Sequence, residues 1–143
     1  MSELILVVRI SGHAVAIRAG AVSSVVELDE VAPVPRAAPH IAGLAALRSR
    51  VLTVIDTYVA IGLDKPSTQS REAVVVELDG HHYALTVDSV DDVVEASVEA
   101  DATRAPFKDG WARVAAGTVE ADGDLLLLVD IAALIAGPQA LAA

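Results

Sequence analysis

The chain has no cysteine, which excludes disulfides, thiolate metal ligands and cysteine nucleophiles at once. Aromatic residues make up only 3% of it, against 54% hydrophobic residues, so any core must be built from Val, Leu, Ile and Ala. Cations are scarce as well: 10 Lys and Arg face 20 Asp and Glu, for a formal charge of −10. A phosphate backbone is bound by clustered Lys and Arg that release counterions, so nucleic acid is an unsuitable partner, and an anionic membrane surface is equally so. Long apolar runs are missing too. Leu4 to Val8 ends at Arg9 with no basic segment before it, which does not read as a signal peptide, and Leu125 to Ala136 is broken by Asp130. Both fall far short of the roughly 20 residues of a membrane span, so the expectation is a cytoplasmic protein without membrane insertion.

What is present is an approximate duplication. A shift of 74 positions lays Gly43 on Gly117, Val51 to Ile55 on Leu125 to Val129, and Asp56 on Asp130. A shift of 68 lays Gly12-His13 on Gly80-His81, Val22 on Val90, and Val25-Val26-Glu27 on Val93-Val94-Glu95. Two copies are fewer than the roughly three a solenoid needs, so the reading is two similar lobes with abutting cores. Length and composition predict one unit over 1–143, with lobes of roughly 1–64 and 72–143, a polar linker at 65–71, and strands that could be exchanged between lobes.

Alternation and turn residues predict hairpins from Leu4 to Ile17, Ile41 to Ile55, Ala73 to Val87, and Val114 to Val129, the last about Asp122-Gly123. Val22, Val25 and Val26, at i, i+3 and i+4, predict a short helix, and Ser89 to Val94 repeats it. Pro33, Pro35 and Pro39 predict an extended segment, and Arg104 to Trp111 a loop. Short helices are expected at Tyr58 to Ile61, ended by Gly62, and at Ile131 to Ile135.

Catalytic and metal chemistry find little footing. His81-His82 are adjacent in a turn, His13 falls at the equivalent turn, and no metal spacing, phosphate loop or nucleophile elbow occurs. Asp88, Asp91 and Asp92 read as solvated charges at a helix start. Asp56 and Asp130 end equivalent strands, where a carboxylate would accept backbone hydrogen bonds from the next helix. The expectation is no enzyme activity, no metal and no cofactor. Arg48, at the tip of an apolar hairpin with Arg50 two places on, is the notable cation, with a donor fork suited to a carboxylate.

The frame of Gly43, Leu47-Arg48, Val51 to Ile55 and Asp56, followed by Val87 to Val93 and by Gly117 with Leu125 to Asp130, resembles the CheW-like adaptors of bacterial chemosensory arrays. The resemblance spans about Leu4 to Ile135. It implies an all-β fold of two five-stranded SH3-like barrels with a hydrophobic groove between them and a few short helices. It implies a monomeric, non-enzymatic scaffold for chemotaxis signal transduction, linking the cytoplasmic hairpin tip of a chemoreceptor to the regulatory domain of a CheA-type histidine kinase. Arg48 matches the arginine of the family's Leu-Arg-Gly motif, with Leu47 beside it, and Val22 and Gly43 match positions associated with array contacts. Ser24, Val87 and Val90 complete the implied partner-binding set.

The chain also departs from the family pattern. Ala46-Leu47-Arg48-Ser49 stands for the usual Asn-Leu-Arg-Gly, Thr53 stands where proline is common, and Ser24 where glutamate is usual. One alternative is therefore a divergent member that binds receptor but not kinase. Another is a small-molecule-binding or hydrolytic β-barrel using Asp56 and Asp130.

Overall fold

A computed structural model describes residues 2–63, 71–99, 109–121 and 123–137. Residues 65–70 of the expected 65–71 linker, residues 104–108 of the expected 104–111 loop and Asp122 of the last turn lie outside the described residues. In chain order the elements are β1 (Ser2–Ile10), β2 (His13–Arg18), a 3-10 turn, β3 (Val22–Glu27), β4 (Ile41–Leu47), β5 (Arg50–Ile55) and α1 (Thr57–Ile61). There follow β6 (Glu72–Leu78), β7 (His81–Thr86), β8 (Ser89–Glu99), α2 (Asp109–Arg113), β9 (Ala115–Ala121), β10 (Asp124–Val129) and α3 (Ile131–Ala136).

Val-rich strands cut by Ser11-Gly12, Asp79-Gly80 and Arg48-Ser49 turns give two five-stranded sheets. One closes into a barrel in the order β1-β2-β10-β9-β8, and the other runs β3-β6-β7-β5-β4. Neither is confined to one side of residues 65–71: β1 and β2 join β8 to β10, while β3 to β5 join β6 and β7. The arrangement obeys the two sequence shifts residue by residue. Val22 pairs with Val76 as Val90 pairs with Val8, and Thr53 pairs with Tyr83 as Leu127 pairs with Val15.

The two helices expected at Val22–Val26 and Ser89–Val94 are strands β3 and β8. The helical spacing was a bulge in disguise. Pairing skips a residue between Val22 and Ser24, and again at the equivalent point of β8, where Val8 faces Val90 and Val7 faces Asp92. One extra residue turns an i, i+2 alternation into an i, i+3 spacing, as between Val22 and Val25, without any helix. Asp88, Asp91 and Asp92 therefore cap no helix. Asp88 accepts from the Gly12 amide at 2.8 Å and from the Tyr58 hydroxyl, and Asp91 pairs with Arg9 at 3.0 Å.

Strands of this kind bury both faces. On β1, Leu6, Val8 and Ile10 face the other sheet, whereas Ile5 and Val7 fill the barrel. On β6, Val74 and Val76 face the first sheet while Ala73 and Val75 line the second. The largest apolar cluster is thus the seam between the sheets, which also takes in Ile61 of α1 and Leu134 of α3. Buried His40 links into it as well, its Nε2 2.7 Å from the Ile135 carbonyl oxygen.

Closure differs between the units. In the barrel, β8 continues to Glu99 and pairs Ser97, Val98 and Glu99 with Glu120, Val119 and Thr118 of β9. The equivalent of that ladder in the second sheet would set Val31 opposite Leu44. Instead a single bridge joins Ala32 to Leu44, with Ala32 N to Leu44 O at 2.8 Å and Leu44 N to Ala32 O at 2.9 Å. Pro33 and Pro35 lack the amides a longer ladder requires.

Candidate functional site

The β4–β5 hairpin ends where Leu47 pairs with Arg50, leaving Arg48 and Ser49 as the turn. Arg48 takes φ 58°, a left-handed conformation that costs an L residue about 1 kcal/mol. Across the open side of the sheet lies the β3 bulge, which turns out Ser23 and Ser24. Tip and bulge enclose a pocket of about 310 Å³ whose floor is Leu47, Leu52 and Val75. Arg48, Arg50 and His82 form its rim, and Ser23, Ser24 and Ser49 supply hydroxyls. Arg50 Nη1 lies 2.6 Å from His82 Nε2, and Glu77 Oε2 lies 3.1 Å from the same nitrogen. Arg48 has no hydrogen-bond or ion-pair partner among the described residues. In a chain of net charge −10, this apolar-floored, cation-rimmed concavity is suited to an anionic group carried on a hydrocarbon stem.

The structure brings together Ser24, Leu47 and Arg48 at this pocket and puts the other sequence-derived site residues elsewhere. Val22 and Val90 are half-buried against the seam between the sheets, at equivalent points of β3 and β8. Val87 is 1% exposed within that seam. Gly43 is buried at φ 148°, and a Cβ there would run into the Ala32 carbonyl that closes the second sheet. The pocket also holds Arg50, His82 and Ser23, which sequence reasoning did not assign. His82 was legible in one respect: strand alternation sets it opposite to His81 and on the side of its cross-strand partner Glu77. No local pattern marks the bulge that turns Ser23 outward.

Asp56 and Asp130 act as the sequence reading expects. Asp56 Oδ1 accepts from the Tyr58 and Val59 amides at 3.0 and 3.3 Å, and Asp130 Oδ1 accepts from Ala133 at 3.1 Å. Each caps its own helix, so the two carboxylates do not converge on one centre. A cavity of about 460 Å³ opens beneath the 28–33 segment, between Leu28 and Val31 on one side and Asp56, Arg71 and Thr86 on the other. Tyr58, 3% exposed, borders it, and burial followed by the hydrogen bond to Asp88 raises its phenol far above the ordinary tyrosine value. No group of three or more His, Asp or Glu suited to a metal occurs among the described residues. No helix among them is long and apolar enough to cross a membrane.

Comparison with known proteins follows the same lines. The model of the CheW-like domain matches residues 4–139. Among solved structures, the scaffolding protein TtCheW from Thermoanaerobacter tengcongensis superposes with a TM-score of 0.77 at 23% identity, over 90% of this chain and 89% of that one. At that identity the likeness bears on the fold. A search of curated proteins finds no match.

Proposed function

The chain belongs to the CheW-like domain family, and from that premise we propose that it is a non-enzymatic adaptor linking the cytoplasmic hairpin tip of methyl-accepting chemoreceptors to the regulatory domain of a CheA-type histidine kinase. The observation that carries this reading is Arg48, held out at a two-residue turn with no partner among the described residues and flanked by Ser24 and Leu47 over an apolar floor. The protein acts by binding, without chemistry. A receptor hairpin lays an apolar helix face along the seam bordered by Val22 and Val90, and the hairpin tip makes the second contact. Gly43 and Val87, both buried, act from beneath by fixing the strands that carry those surfaces. The protein works in the cytoplasm, as a monomer in isolation, without cofactor or metal.

Ser24, Ala46 and Ser49 favour a second reading within the family. They stand where the family carries polar or turn-forming residues facing partners, so a protein with these residues keeps its receptor surface and no longer binds the kinase. A pull-down against receptor tip and kinase regulatory domain, each presented alone, separates the two readings. Capture of both supports the linking adaptor, capture of the receptor alone supports the divergent member, and capture of neither overturns both.

A further inference from the structure

Two groups at the hairpin pocket compete for one nitrogen. Arg50 Nη1 and Glu77 Oε2 both lie within hydrogen-bonding distance of His82 Nε2, at 2.6 and 3.1 Å. A neutral imidazole protonated at Nδ1 offers Nε2 as an acceptor, which holds Arg50 and gives the carboxylate nothing. Protonation of Nε2 reverses the pairing: the ring donates to Glu77, and Arg50 loses its acceptor. In the imidazolium form Arg50 also faces a like charge. Among the described residues, the charged groups facing His82 are Glu77 from β6 and Arg50 from β5, with Arg48 on the same pocket, while His81 points to the opposite face of β7.

Arg50, once released, has the pocket to turn into. There it would meet Arg48, and two guanidinium groups over an apolar floor are stable together only around an anion. Resting on the reading of the tip as a partner surface, we propose that the pocket takes the carboxylate of one acidic side chain from a protein partner, bridged between Arg48 and Arg50, and that His82 governs whether Arg50 is free to bind it. The floor of Leu47, Leu52 and Val75 decides between a side chain and a free oxyanion, because it needs a hydrocarbon stem to cover it and inorganic phosphate has none. Ser23, Ser24 and Ser49 donate to the remaining carboxylate lone pairs. Ser24 leaves this space open.

The test is a titration of the intact protein with a receptor hairpin-tip fragment and, separately, with a kinase regulatory domain, at about pH 6 and about pH 8. Wild type should bind the responding partner several-fold more tightly at the lower pH. Arg50→Gln should bind weakly at both. His82→Leu, which holds Arg50 in neither state of the ring, should bind at both pH values as tightly as wild type does in acid. Replacing the acidic residues of the responding partner one at a time by their amides should find a single position that abolishes the difference. If His82→Leu binds weakly at both pH values, the imidazolium is itself the ligand and the gating role is wrong. Wild-type affinity that is unchanged by pH and by Arg50→Gln overturns the proposal while leaving the adaptor reading intact. Failure of wild type to bind either partner at either pH overturns the adaptor reading, and the pocket assignment with it.

Discussion

Single residues in this chain are explained by what crosses them. Gly43 and Gly117 occupy equivalent positions in the duplicated sequence, and a sequence reading gives them equal roles. The structure separates them: each follows a bulge, Gly43 pairing with Val54 and Gly117 with Leu128, but only Gly43 of the two has a positive φ. It also lies under the Ala32 carbonyl, a contact that depends on a bridge distant in sequence. Gly43→Ala should therefore lower stability by about 1–3 kcal/mol, and Gly117→Ala by clearly less. Denaturant unfolding of both variants checks this, and equal losses would contradict it. Arg48 was readable as a hairpin-tip cation because its turn is local. His82 was not readable as a neighbour of the tip, because a parallel pairing between β5 and β7 brings its strand there.

At the scale of elements, hairpins and helix caps were legible and the bulged strands β3 and β8 were not. The turns at Ser11-Gly12, Arg48-Ser49 and Asp79-Gly80, the caps at Asp56 and Asp130, and the stop at Gly62 are all set within a few residues of chain. A β-bulge has no local signature, so β3 and β8 read as helical turns until their pairing partners are known. The same non-local logic governs closure of the second sheet. The 28–33 segment pairs with β4 through a single bridge, where the barrel has a three-residue ladder. Ala32→Pro removes the Ala32 amide that donates to Leu44, at a cost of about 1 kcal/mol for one hydrogen bond. Hydrogen exchange should then quicken at Leu44 while Val98 and Val119 in the closed barrel keep their protection. Unchanged exchange at Leu44 would mean that the bridge does not hold that edge.

At the scale of the whole molecule, reciprocal exchange of the β1–β2 and β6–β7 hairpins makes the two sequence halves interdependent. Neither half contains a complete sheet, and the largest apolar cluster belongs to the seam rather than to either interior. Chains of residues 1–64 and 65–143 should each be unfolded alone and should recover the native far-ultraviolet spectrum when mixed. A cooperative melt from either half by itself would contradict that. The same interlocking fixes the hairpin tip relative to the seam, the two surfaces proposed above to contact partners. The central claim is that the tip is one of them, and the affinities of wild type and Arg48→Glu for a receptor hairpin tip and a kinase regulatory domain test it most directly. An exposed turn residue leaves folding nearly untouched, so the variant should melt as wild type does and yet lose on the order of 2 kcal/mol, roughly thirtyfold, toward the partner that uses the tip. A folded Arg48→Glu protein that binds both partners as tightly as wild type would contradict the account.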